Sequence, residues 1–216
     1  MLSSAPLRRS SVVVGREAEL DLLQRALRGA PKGDTGCVVL IGEGGIGKTR
    51  LLSEATTVAH QLGCVVLTGR VPIVTRPPFG LIASALRSWL RAVPTPEPLG
   101  AYDRGLATVL PEWPCPDGTA LDDSQQRLLA LEGIAQLLRR IAADGGVVLV
   151  VDDVHAADAE SIEALRYVAN AAIPGVVVLA AMRPGEDPAA DGVVRALRHD
   201  LIADVVTLDP LDERGV

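Results

Sequence analysis

Cys37-Val38-Val39-Leu40-Ile41 runs into Gly42-Glu43-Gly44-Gly45-Ile46-Gly47-Lys48-Thr49 and resumes as Arg50-Leu51-Leu52-Ser53-Glu54-Ala55. A short Val/Ile/Leu run that breaks into glycines and then resumes reads as strand, tight loop, helix. The loop satisfies the phosphate-binding pattern G-x-x-x-x-G-K-[ST] at every fixed position. Gly42, Gly44, Gly45 and Gly47 let the backbone come close to a ligand, so that N–H groups around Ile46 turn inward and form a nest for a polyphosphate. A helix starting near Gly47 and carrying Arg50 in its first turn adds the positive end of its dipole. Lys48 can reach the β and γ phosphates, and the Thr49 hydroxyl can ligate Mg²⁺. The sequence therefore predicts binding of ATP or ADP with Mg²⁺.

Composition narrows the rest. A chain of 216 residues suits one α/β domain with a single core. Although 48% of its residues are hydrophobic, no apolar run approaches the ~20 residues that a membrane span needs. No secretory signal is evident at the amino end, and the expectation is a cytoplasmic protein with no membrane partner. Cys37, Cys64 and Cys115 form no C-x-x-C pair, which suits reduced thiols rather than a disulfide or metal site. A net charge of −6 without a dense Lys/Arg block argues against this segment gripping a nucleic-acid backbone by itself. Aromatic residues are only 2% of the chain, so its core is built from Val, Leu, Ile and Ala.

Before the loop, Leu20, Leu23 and Leu27 recur at helical spacing after Gly15-Arg16-Glu17, which spacing alone would assign to a helix entry. After it, the helix runs to about Gln61, followed by a strand at Cys64-Val65-Val66-Leu67-Thr68 and a helix from Phe79 to Leu90. Between Val93 and Pro116 lie six of the chain's 15 prolines, with Tyr102 and Trp113. This density predicts an irregular excursion over 93–123, with one short helix near Asp103 to Leu110. Trp113 either packs it onto the body or stacks on a base. Asp122-Asp123-Ser124 can cap a helix over Gln125 to Ala143. Val147-Val148-Leu149-Val150-Val151 is uninterrupted, as in a strand covered on both faces. A helix at about Ala157 to Ala171, a strand at Gly175 to Ala181, a helix at Asp191 to Leu201 and a strand at Val205 to Leu208 complete the pattern. The alternation predicts a doubly wound, mostly parallel five-stranded sheet with helices on both faces and the ligand at the carboxyl ends of its strands.

Asp152 and Asp153 stand at the end of the third strand. One carboxylate there can hold the metal and a second can orient or deprotonate an attacking water, so Asp152 is assigned to Mg²⁺ and Asp153 to the water. The alternative is that the pair caps the helix beginning near Asp158. His155 either relays the state of the γ-phosphate or is simply hydrogen-bonded to its neighbours. Arg183, at the tip of the fourth strand, either contacts the γ-phosphate or is a solvated turn arginine.

The ordered set Val14-Gly15-Arg16-Glu17-Ala18-Glu19-Leu20, the phosphate loop, Pro78-Phe79-Gly80, Val150-Val151-Asp152-Asp153-Val154-His155 and Ala181-Met182-Arg183-Pro184-Gly185-Glu186 resembles a known family. It is similar to the P-loop NTPase domain of AAA/STAND type in the signal-transduction ATPases with numerous domains. Within that class it most resembles the large ATP-binding LuxR-type transcription regulators of actinobacteria, from about Val13 to Leu211. The resemblance implies that Gly15 and Arg16 lie near the adenine, that Arg183 is a sensor arginine, and that its strand lies between the phosphate-loop strand and the Asp152 strand. Where the family often has a tryptophan after the histidine, this chain has Ala156.

The expected organisation is a tail over 1–11, an ATPase domain over 12–211, and the beginning of a lid and winged-helix region over 212–216. The resemblance also implies a sensor region and a DNA-binding helix-turn-helix beyond this segment, self-association and an effector. The expected function is a slowly hydrolysing regulatory ATPase that acts as a nucleotide switch. Its competitors are a non-hydrolysing oligomerisation module and a loader or remodelling ATPase. No arginine finger in cis is evident, hence the slow turnover.

Overall fold

The structure, a computed structural model, describes residues 15–71, 76–92, 97–115 and 122–210. The expected tail, residues 12–14, the ends of the proline-rich excursion and the region from 211 onward lie outside these residues.

Along the chain come α1 (Glu17–Gly29), β1 (Gly36–Ile41), α2 (Lys48–Gln61), β2 (Val65–Gly69), α3 (Gly80–Leu90), α4 (Asp103–Val109), α5 (Asp123–Ala142), β3 (Val147–Val151), α6 (Ala159–Asn170), β4 (Val176–Met182), α7 (Pro188–His199) and β5 (Asp204–Thr207). The strands form one sheet in the order β2-β3-β4-β1-β5, and every pairing in it is parallel. As expected, the Arg183 strand β4 lies between β1 and β3.

Every residue of β3 and β4 is buried, which is why their sequences show no alternation. On one face Leu23 and Leu27 of α1 and Leu51, Leu52 and Ala55 of α2 pack on Val38, Leu40, Val148, Val150, Val177 and Leu179. On the other, α3 to α7 pack on Val39, Leu67, Val147, Leu149, Val151 and Val178. The sheet is thus covered on both sides. Adjacent residues of one strand feed opposite cores, as the strand's period of two requires.

The proline-rich excursion contains a 3₁₀ turn at Gly100–Tyr102 and then α4. Trp113 is buried and its indole N–H donates to Asp103 Oδ1 at 2.9 Å. The same oxygen accepts from Leu99 N at 2.7 Å, so one buried carboxylate ties Leu99 and Trp113, on either side of α4, to that helix. Packing, rather than base stacking, occupies this tryptophan. α4 approaches α5 closely because both carry glycine at the crossing: a Cβ on Gly105 would stand 2.0 Å from the Leu129 carbonyl oxygen.

Three helix boundaries differ from the spacing-based expectation, each for a capping reason. α5 begins at Asp123 because Asp122 and Gln125 form a reciprocal capping box. α6 begins at Ala159 because Val154–Ala156 is a separate 3₁₀ turn and Asp158 is the cap. α7 begins at Pro188, three residues early, with Asp187 accepting from Ala189 N at 3.0 Å.

Candidate functional site

The expected site residues converge where β1, β4 and β3 end side by side. β1 pairs Ile41 with Met182 of β4, and Gly42 N continues the ladder by donating to Met182 O at 3.3 Å. The phosphate loop therefore leaves the sheet directly beside Arg183. Gly45 and Gly47 take φ of +78° and +105°, left-handed values that L side chains rarely adopt. Gly47 is the N-cap of α2, so the loop's amides and the helix terminus face the same space. Lys48 is buried, its ammonium donating to the Gly42 carbonyl at 2.6 Å and the Glu43 carbonyl at 2.8 Å. The loop is wrapped around its own cation. Arg50 follows on the exposed side of the first turn of α2.

Thr49 and Asp152 meet across the sheet end. The Thr49 hydroxyl donates to Asp152 Oδ2 at 2.6 Å, while Oδ1 accepts from Asp153 N at 2.9 Å. Two hard oxygen donors in contact, one from each half of the site, are the chemistry that Mg²⁺ takes. Among the described residues no group of three or more His, Cys, Asp or Glu could hold a metal by itself. Thr49 and Asp152 could supply part of a coordination sphere.

Asp153 adopts φ 55° and ψ 43°, a left-handed conformation that aspartate tolerates better than most residues. The bend directs the chain into the 3₁₀ turn and leaves the Asp153 side chain 55% exposed. The capping alternative for the aspartate pair fails on geometry, because Asp158 performs that task. Its Oδ1 accepts from Ser161 N at 2.8 Å and from Phe79 N at 2.7 Å; its Oδ2 accepts from Gly80 N at 2.9 Å and from the Ser161 hydroxyl at 2.7 Å. One carboxylate caps both α6 and α3, which gives Pro78-Phe79-Gly80 a structural role.

His155 is buried beside the site. Its Nδ1 accepts from Arg183 N at 3.2 Å, and its Nε2 lies 3.1 Å from Glu186 Oε2 and 3.8 Å from Asp153 Oδ1. The Arg183 guanidinium lies along the phosphate loop, its Cζ 3.5 Å from where a Cβ on Gly44 would stand. Its Nη1 donates to Glu186 Oε1 at 3.2 Å. The Arg183 side chain is thus engaged with the loop edge and with Glu186 while remaining 43% exposed. Glu186, in the sequence only the last residue of the Ala181-to-Glu186 motif, joins the site here; its sequence signal is a carboxylate three residues after the strand-end arginine.

Arg16 is held beside the loop by the chain that leaves β5. Leu208 N donates to Ile41 O at 2.7 Å, and a Cβ on Gly42 would lie 3.3 Å from both the Cβ and the carbonyl oxygen of Leu208. The next carbonyl, that of Asp209, accepts from Arg16 Nη2, and Arg16 Nη1 pairs with Glu19 at 3.0 Å. The Arg16 guanidinium is occupied by these partners and buried. Gly15 N donates to Glu17 Oε1 at 3.1 Å at the exposed start of α1.

A family model described as an AAA ATPase domain matches residues 12–179. Among solved structures, the chain is similar to Cdc6p from Pyrobaculum aerophilum, with a TM-score of 0.57 and 16% identity over 98% of this chain and 49% of that one. It is also similar to a signal-transduction ATPase with numerous domains carrying a tetratricopeptide repeat sensor from Pyrococcus horikoshii, with a TM-score of 0.45 and 21% identity over 98% and 26%. AMPPCP-bound DnaA from Aquifex aeolicus aligns with a TM-score of 0.47 and 17% identity over 93% and 48%. The chain spans half or less of the length of each. No curated protein matches. Among the described residues no helix is long and apolar enough to cross a membrane.

Proposed function

The chain belongs to the AAA ATPase domain family, and from that premise we propose that it is the nucleotide switch of a larger transcription regulator, binding ATP with Mg²⁺ and hydrolysing it slowly. One observation carries the ATPase part: Thr49 at the start of α2 touches Asp152 at the end of β3, while Arg183 at the end of β4 lies along the same loop. Phosphate cradle, metal carboxylate and phosphate-facing cation stand on three adjacent strand ends.

In this reading the loop amides of Gly44 to Lys48 and the Lys48 ammonium hold the β and γ phosphates. Thr49 and Asp152 would hold Mg²⁺, which when bound would supply charge neutralisation at the phosphates. Asp153, exposed on its bend, orients or deprotonates the attacking water, and Arg183 stabilises charge on the terminal phosphate. His155 fixes the backbone of Arg183. Gly15 and Arg16 position the chain edge on which the adenine rests, Arg16 through its bond to Asp209 rather than by a free guanidinium. The regulator context, with an effector, self-association and DNA bound through a region outside this segment, is supported by the order of motifs from Gly15 to Glu186.

Calorimetric titration with MgADP and MgATP tests the reading. Wild type should bind both and Lys48→Ala neither. Single-turnover hydrolysis by Asp153→Asn should fall by about 10² or more if Asp153 serves the water; an equal rate would remove that role and leave a binding module.

A further inference from the structure

We infer that Glu186 is a positioning residue that sets how strongly the site prefers a nucleoside triphosphate over a diphosphate, an inference that rests on the phosphate-loop reading above. Its two carboxylate oxygens face two different groups, Arg183 Nη1 at 3.2 Å and His155 Nε2 at 3.1 Å. Because His155 Nδ1 accepts the Arg183 backbone N–H, the neutral ring carries its proton on Nε2 and donates it to Glu186. Arg183 backbone, imidazole, Glu186 and Arg183 guanidinium therefore close a ring.

The links of that ring are unequal. The His155 side chain is 7% exposed, whereas Arg183 and Glu186 are 43% and 46% exposed, so the Arg183–Glu186 ion pair is the link that can open. The turn carrying Glu186 is itself held on both sides. Gly185 N donates to Asp191 Oδ2 at 3.0 Å, and Asp187 caps α7. Glu186 stays in place while the Arg183 side chain chooses a partner.

Two anions compete for that guanidinium. One is Glu186, and the other is a terminal phosphate seated on the loop that Arg183 lies along. A γ-phosphate must draw Arg183 from Glu186, and the free energy of the ion pair is subtracted from triphosphate affinity. A diphosphate is held by the loop amides and Lys48 and loses nothing. Glu186 thus biases the site toward the diphosphate.

The test compares the 216-residue chain with its Glu186→Gln, Arg183→Ala and doubly substituted forms. Each is titrated with MgADP and with the Mg²⁺ complex of the β,γ-imido analogue of ATP. Glutamine keeps an oxygen for His155 and removes only the ionic hold on Arg183, so folding is preserved and is verified by an unchanged melting temperature. Glu186→Gln should tighten the triphosphate analogue about three- to fivefold, the equivalent of one exposed ion pair. ADP affinity should not move, and the substitution should have no effect when Arg183 is alanine. Equal changes for both nucleotides, no change for either, or an effect that survives without Arg183 would overturn the inference. Wild type binding neither nucleotide would overturn the phosphate-loop reading and this inference with it; wild type binding both while Glu186→Gln is silent removes this inference alone.

Discussion

Replacing Asp158 by alanine removes the acceptor for three backbone N–H groups and one hydroxyl at a junction of two helices. Loss of an N-cap costs about 1 kcal/mol, and here two helices lose theirs together. Phe79, Gly80 and Ser161 are buried, so their donors are not simply handed to water, and counting each of the three backbone N–H groups once, at about 1 kcal/mol, already includes the loss of both caps. The total is roughly 3 kcal/mol. For a domain of this size that lowers Tm by about 6–12 °C. Asp158→Asn should fall between, because its oxygen can serve Ser161 N and Phe79 N while its NH₂ group confronts the Gly80 N–H. Urea unfolding with a fitted m-value measures both variants, and MgADP titration of the folded protein should show binding retained. A loss below about 1 kcal/mol for Asp158→Ala would refute the reasoning, since it would mean that α3 does not depend on the α6 cap.

Gly105→Ala should cost at least ~2–3 kcal/mol, because its Cβ would stand 2.0 Å from backbone rather than from a flexible side chain; denaturation at the wild-type m-value measures it, and a near-neutral result would mean that α4 shifts away from α5 freely. The thiols should react unequally at pH 8, with exposed Cys115 labelled quickly and buried Cys37 and Cys64 only as the protein opens. Burial, assisted by Asp204, pushes the Cys37 thiol up to about 12, so stability should be full below the ordinary thiol value of 9.0 and decline as pH rises from there toward 12. Three equally fast thiols in a labelling time course with a chromogenic disulfide would contradict the buried placement.

The stretch from Cys37 to Thr49 made strand, loop and helix legible at once, because glycine spacing and lysine position serve a local geometry that needs no distant partner. Uninterrupted Val147 to Val151 likewise announced an inner strand. What the sequence could not show was pairing across the fold. Nothing near residue 158 indicates that its carboxylate reaches Phe79, nor does Arg16 advertise a bond to a carbonyl near the other end of the chain. The sequence left Trp113 between packing and base stacking, and its partner Asp103 was hidden in a helix of ordinary composition. Glu186 was passed over because an exposed carboxylate in a turn normally means solvation; only the arrangement of β3 beside β4 brings His155 to it.

The strip from Leu208 to Asp209 touches Gly42 and receives Arg16, and it hangs from β5, a four-residue edge strand bonded to β1 alone. β3 and β4, by contrast, are bonded on both sides and wholly buried. The cradle therefore has unequal stiffness. The flank with Asp152 and Arg183 is anchored in strands that are buried and bonded on both sides, while the Arg16 flank hangs from the edge strand, so amide exchange should be slower on the first than on the second. Tension applied at Pro210 should reach Gly42 through Leu208 before it reaches Asp152 or Asp153, so a mechanical load there would loosen the proposed phosphate cradle before the aspartate pair.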